Sequence, residues 1–167
     1  MPLSRLLSVF ALMGLAMTAP TPLIAADPLV FVTEFAPGDK GGIRAYELDS
    51  KTGKLTPLRR TTGVENPFFL ALSPDKKSLY SIHAKTFGGK DNEHVAAYEV
   101  VGRTGELKLL NRQSAEGTAA CYLDVDKTGK AVLVANYSSG SVASLPVKAD
   151  GSLGEKASFF KHEGSSL

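Results

Sequence analysis

From Asp27 onward, apolar and polar residues alternate in short runs, and clusters of Asp, Gly, Lys and Pro separate the runs. In one such run Ile43, Ala45 and Glu47 fall on one side, and Arg44, Tyr46 and Leu48 on the other. A two-residue period is the pattern of a β-strand. The clusters between runs predict hairpin turns, where Gly supplies the positive φ that a tight turn needs. No segment after residue 26 carries an apolar 3.6-residue period long enough to predict a helix.

The runs repeat. Ala45-Tyr46-Glu47 followed by Thr52-Gly53-Lys54-Leu55 returns as Ala97-Tyr98-Glu99 followed by Thr104-Gly105-Glu106-Leu107. A third, looser copy is Ala143-Ser144 followed by Asp150-Gly151-Ser152-Leu153. Between these lie two related phrases, Ala71-Leu72-Ser73-Pro74-Asp75 through Tyr80 and Asp124-Val125-Asp126 through Leu133. Val30-Phe31-Val32-Thr33 resembles the tail of an earlier copy. Each unit reads as four strands in a repeat of about 45–50 residues, which is the signature of a β-propeller blade. A β-sandwich also spaces strands regularly, but it gives no reason for matched landmarks at equal gaps.

In a blade the strands run outward from the central channel. The predicted innermost strands are Phe68–Leu72 and Tyr122–Val125, and the second are Leu79–His83 and Ala131–Asn136. His94–Val100 and Ser141–Val147 are third, and Leu55–Arg60 and Leu107–Arg112 outermost. Antiparallel order puts the hairpins at residues 50–54, 73–77, 102–106 and 126–130 on one face. The opposite face collects Glu34, Glu65-Asn66-Pro67, the long loop from His83 to His94, Glu116, Asn136-Tyr137 and His162-Glu163. Loops over a rigid scaffold commonly carry function, and a channel mouth there offers a pocket. The substrate-facing side is therefore expected to be this loop face.

The first 26 residues read differently. Arg5 is the only charge before Asp27, an apolar run spans Leu6 to Met17, and Ala25-Ala26 offers a small-residue cleavage site. This is the pattern of an export signal, and a run of this length falls short of the roughly 20 residues a bilayer-spanning helix needs. The expected product is exported, periplasmic or secreted, without stable membrane insertion. Residues 27–167 then form the folded part, with room for about three blades, whereas closed propellers have about 4–8. Further blades, C-terminal to these, would be needed to close the ring.

Composition narrows the chemistry. A net charge of +2 over 167 residues offers no basic face for nucleic acid. The single cysteine, Cys121, can form neither an internal disulfide nor a multi-thiolate metal site. His83 and His94 flank a loop without a carboxylate or thiol at ligand spacing, so no metal site is expected. Asp124 to Gly129 resembles the start of a calcium loop but lacks its closing Glu, and reads as a hairpin. Asn136-Tyr137-Ser138 is a glycosylation sequon. His162 and Glu163 are the candidates for acid–base work, since histidine titrates near neutrality and a carboxylate can orient it. Asn66, His83 and Asn136, on the loop face at the channel mouth, are the candidates for substrate binding.

One combination of phrases resembles a known family. Asn66-Pro67-Phe68-Phe69-Leu70, Leu72-Ser73-Pro74-Asp75 with Leu79-Tyr80, Val134-Ala135-Asn136-Tyr137 with Gly140-Ser141-Val142, and His162 to Ser166 are similar to the seven-bladed β-propeller lactonases. That group includes 6-phosphogluconolactonase-like enzymes and carboxy-muconate cyclases. The resemblance implies hydrolysis of a sugar lactone, a small-molecule substrate in carbohydrate metabolism, without a required metal or other cofactor. It also implies that the residues proposed for catalysis in the family lie beyond Leu167. The alternative is a non-catalytic exported propeller that binds a ligand or protein.

Overall fold

The computed structural model describes residues 26–164. The expected export signal, residues 1–26, lies outside the described residues except for Ala26. Among the described residues no helix is long and apolar enough to cross a membrane.

Three antiparallel sheets follow one another along the chain. β1 (Leu29–Glu34), β2 (Gly42–Leu48) and β3 (Leu55–Thr61) form the first, in that order. The second contains β4 (Leu70–Leu72), β5 (Ser78–His83), β6 (His94–Val101) and β7 (Glu106–Ser114). The third contains β8 (Ala120–Val125), β9 (Ala131–Asn136), β10 (Ser141–Pro146) and β11 (Ser158–Lys161). Each chain segment pairs with its predecessor, so every sheet is a meander, as the repeat predicts for propeller blades. β1 takes the place in its sheet that β5 and β9 take in theirs, which explains why Val30–Thr33 reads as the tail of a unit.

The two faces of the middle sheet build two separate cores. Tyr80, Ile82, Val95 and Ala97 pack against Leu123, Val132, Val134 and Leu145 of the third sheet. Their sequence neighbours Leu79, Ala96 and Tyr98 pack the other way, with Ile43, Val64 and Phe31. Period-two alternation thus sorts residues between two interfaces rather than between core and water. All six residues of β5 are buried as a result. Full burial of a side chain such as Leu79 or Ile82 stabilises by about 1.5–3 kcal/mol.

Short acidic turns close the hairpins on one face. Asp49 accepts from the amides of Lys51 and Thr52, Asp75 from Lys77, Asp126 from Thr128, Lys130 and Ala131, and Asp150 from Ser152. These are Asx turns, in which a side-chain oxygen replaces a backbone acceptor. The Asp124–Gly129 segment is accordingly a hairpin. The Thr128 hydroxyl, followed by the amides of Ala131, Thr128 and Lys130, holds the Asp126 carboxyl down at about 2.

One strand begins later than the repeat suggests. Leu55 and Leu107 open or nearly open their fourth strands, but the matching Leu153 makes only an isolated bridge to Val147. Leu153 is instead fully buried, and its backbone exchanges two hydrogen bonds with the Asn111 side chain of the neighbouring sheet, at 2.7 and 2.9 Å. The fourth strand of that sheet resumes at Ser158.

The landmark glycines Gly53, Gly105 and Gly151 all have positive φ, at 74°, 75° and 85°. Two of them also lie against the preceding blade. A Cβ on Gly105 would come within 2.7 Å of the Ala45 Cβ, and one on Gly151 within 2.3 Å of the Ser78 Oγ. A Cβ on Gly53 meets nothing within 4 Å. All three alanine substitutions incur the left-handed backbone penalty of roughly 1–2 kcal/mol, and overpacking adds about 1–3 kcal/mol at the two crowded sites. Gly105→Ala and Gly151→Ala should therefore lower the thermal midpoint clearly more than Gly53→Ala. Equal shifts for the three variants in a calorimetric scan would contradict that packing.

Candidate functional site

The loop face is assembled from equivalent positions of successive blades. The equivalent strands β1, β5 and β9 end there in a polar residue: Glu34, His83 and Asn136. Their strand partners are Gly42, His94 and Ser141. Fold repetition thus places three different chemistries at one structural position.

Glu34 is gripped by two arginines of its own sheet. Arg44 Nε lies 2.6 Å from Oε1, and Arg60 Nε donates to Oε2. Arg60, followed by Arg44, holds the Glu34 carboxyl below the usual range. Arg60 also donates to the carbonyls of Lys40 and Gly41, which fixes the β1–β2 loop.

The predicted binding residues Asn66, His83 and Asn136 lie beneath the loop surface rather than on it; they are 7%, 7% and 3% exposed. Asn66 has φ of 41° and donates from Nδ2 to the carbonyls of Ala84 and Lys85, while its own amide donates to Ala36. It ties two loops and the blade connector together, and asparagine tolerates the left-handed backbone that the connector requires. Asn136 Nδ2 donates to the Ala115 carbonyl and to Ser141 Oγ. Gly117 approaches so closely that an added Cβ would stand 2.5 Å from the Asn136 amide. The sequon asparagine is thus enclosed by protein.

His83 is stacked on His94 with ring centroids 5.6 Å apart, and its Nε2 has no protein partner. Burial, with Arg112 and then His94 adding like charge, pushes its pKa down to about 4. The ring is neutral at pH 7. A cleft of about 680 Å³ adjoins it between the first two blades, lined among others by Glu65, Lys85, Glu93, His94 and Arg112. Arg112 closes one side by donating to the Gly63 carbonyl at 2.8 Å. Sequence patterning does not single out Arg112, because at the end of an alternating strand it looks like a solvated edge residue.

Glu93 is the other residue that the pattern hides. Its side chain is 1% exposed and accepts from the amides of Gly88, Ala119 and Ala120 at 2.8–3.1 Å. His162 and Glu163, by contrast, are exposed just past β11. The His162 amide donates to the Gly140 carbonyl, which puts the pair on the loop face beside the β9–β10 turn. Cys121 is half-buried, with its thiol 3.8 Å from the Ala135 carbonyl. Among the described residues no three His, Cys, Asp or Glu side chains gather as a metal site.

A family model described as a seven-bladed β-propeller lactonase matches residues 29–167. The chain belongs to the seven-bladed β-propeller lactonase family. Among curated lactonases it is 36% identical over 135 residues to a 6-phosphogluconolactonase of Bacillus subtilis, covering 80% of this chain and 37% of the relative. It is 30% identical to a 6-phosphogluconolactonase of Formosa agariphila, covering 83% and 39%. A solved candidate 6-phosphogluconolactonase from Bacteroides fragilis superposes with a TM-score of 0.75 at 31% identity, covering 89% of this chain and 40% of that one. The periplasmic gluconolactonase of Pseudomonas aeruginosa matches with a TM-score of 0.67 at 28% identity, covering 81% and 39%. The chain therefore spans about two fifths of the length of the lactonases it matches.

Two outcomes follow from this geometry. Between about pH 6.5 and pH 4 an unfolded His83 takes up a proton that the folded one refuses, so stability falls as pH falls through that window. The loss is at most roughly 3 kcal/mol. His83→Gln should flatten the acid limb of a stability-versus-pH curve, and an unchanged limb would show that His83 is not its source. Glu93→Ala orphans the two buried amide donors of Ala119 and Ala120 and releases that of the exposed Gly88, and should destabilise by roughly 2–5 kcal/mol; urea titration showing less than about 1 kcal/mol would refute the clamp.

Proposed function

We propose that this chain provides blades of an exported sugar-lactone hydrolase. The observation that carries the reading is the lactonase match over residues 29–167, together with 36% identity to an enzyme named 6-phosphogluconolactonase. In the reaction, water adds to the lactone carbonyl, the ring C–O bond breaks, and the ring oxygen takes the proton to leave a hydroxy acid. That chemistry calls for a base on water and donors toward the developing oxyanion. His162 is assigned as an acid–base group with Glu163 beside it. Asn66, His83 and Asn136 are assigned to the wall of the site, where they hold the loops that meet substrate. Further blades close the ring and complete the catalytic set.

Export is part of the proposal. The Arg5, Leu6–Met17 and Ala25-Ala26 pattern supports it, and one structural relative is named as periplasmic. A phosphorylated lactone carries two strong charges, so an unphosphorylated gluconolactone is the favoured substrate outside the cytoplasm. Fractionation of producing cells tests both parts at once. The exported fraction should hold protein beginning at Asp27 and should hydrolyse δ-gluconolactone well above the buffer rate. Protein retained inside with Met1 attached defeats the export reading. Hydrolysis of gluconolactone and its 6-phosphate at the buffer rate defeats the enzyme reading in favour of a binding module.

A further inference from the structure

The first two sheets carry an arginine at the same position in two different settings. Register aligns them residue by residue. Glu34 faces Gly42 as His83 faces His94, and Arg44 faces Arg60 as Ala96 faces Arg112. In the first sheet the Glu34 carboxylate takes both Arg44 and Arg60. In the second sheet a neutral histidine stands in place of that carboxylate and alanine in place of Arg44, while the outer arginine is kept. Arg112 therefore lacks the internal partner that Arg60 has. Among the described residues its guanidinium donates only to the Gly63 carbonyl and pairs with no carboxylate.

Arg112 is exposed and lines the cleft of about 680 Å³ between the first two blades. Every lining residue belongs to those two sheets or to the loops around them, so no further blade is needed to form its walls. On the same sheet face as Arg112, His83 Nε2 and the Tyr98 hydroxyl are both buried without a protein partner. Buried polar groups are nearly always hydrogen-bonded, so this wall holds polarity that the fold itself does not use. The remaining charges of the lining are Lys85 and Lys90 against Asp39, Glu65 and Asp91. None of the five joins an ion pair among the described residues. Glu93 is spent on backbone amides.

A guanidinium takes a carboxylate through a planar fork of N–H donors, and the first sheet shows an arginine at this position holding one. The three unpaired carboxylates of the lining oppose a phosphate dianion, whereas hydroxyl groups can donate to them. We infer that the cleft between the first two sheets is a binding site for a small hydroxy-carboxylate. The ligand's carboxylate sits on Arg112, in the role that Glu34 plays for Arg60, and its hydroxyls donate to the lining carboxylates. This site is separate from the channel mouth. The class of ligand follows from the residues. Its identification with the ring-opened hydroxy acid rests on the lactonase reading and makes the cleft a product site.

Calorimetric titration of the full chain uses three probes: D-gluconate, methyl β-D-glucopyranoside, which has the hydroxyls without a carboxylate, and inorganic phosphate. Gluconate should bind about tenfold more tightly than either of the others, as expected for a charge-assisted pair. Arg112→Gln should weaken gluconate by about the same factor, and Arg112→Lys should recover part of the loss, because it keeps the charge without the fork. His83→Glu restores the arrangement of the first sheet, so an internal carboxylate should occupy Arg112 and weaken gluconate as Arg112→Gln does. Arg112 is exposed, so its variants keep the test valid if His83→Glu fails to fold, which melting curves report. No binding of gluconate, phosphate or glycoside bound as tightly as gluconate, or an affinity unchanged by Arg112→Gln or by a folded His83→Glu overturns the site. Hydrolysis of δ-gluconolactone is followed on the same samples. Turnover without Arg112-dependent binding keeps the hydrolase reading and removes this site, whereas Arg112-dependent binding without turnover does the reverse.

Discussion

Every polar atom of Glu93 is hydrogen-bonded, and the bonds reach three parts of the chain. Its amide donates to the Gly117 carbonyl and its carbonyl accepts from Ala115. Its carboxylate holds Gly88 of the long loop and Ala119 and Ala120 of the blade connector. A propeller must carry its chain from the outer edge of one blade to the inner edge of the next, across one face. That crossing buries backbone donors outside any ladder, and such donors need partners. The connector is also bent through left-handed conformations at Glu116 and Ala119, with φ of 59° and 50°. Glu93 stabilises this geometry with charge-assisted bonds, and at the preceding crossing Asn66 donates neutral ones to the Ala84 and Lys85 carbonyls.

This division between ladder and crossing explains what the sequence discloses. The hairpin face is written in local chemistry. Asp49, Asp75, Asp126 and Asp150 each cap amides within five residues of themselves, so the turns and the strands they join can be read from a single copy of the motif, and the blade period from the recurrence of copies. Alternation within β2 and β10 is legible for the same reason. The loop face depends on distant pairings. Glu93 meets Ala120 across 27 residues, and Asn111 meets Leu153 across 42. No local pattern announces either, and the second one displaces a strand that the repeat alone would start at Leu153.

The same reasoning applies to the candidate site. Asn66, His83 and Asn136 stand out in sequence as polar residues at strand ends, and the structure does bring them to equivalent or adjacent positions on one face. Their burial converts them into supports, which a string of letters does not reveal. Phe35, Phe68 and Phe87 show the opposite. Each looks like an ordinary strand-edge hydrophobe, and only folding gathers them into exposed aromatic surface. Around these three rings the loop face is therefore aromatic above and polar below, whereas the rest of its surface is polar.

The glycines at 105 and 151 combine a turn with a close approach to the blade before them. What is missing from those residues acts as a gauge. The distance between adjacent sheets at their outer edges is set by backbone against side chain rather than by two side chains. In a ring, that outer spacing together with the inner one fixes the wedge angle of each blade, and the wedge angle fixes how many blades complete a circle. A methyl group added at each such position would open the outer spacing and favour a ring with fewer, wider sectors. The absence of one carbon atom per repeat is in this sense a counting device.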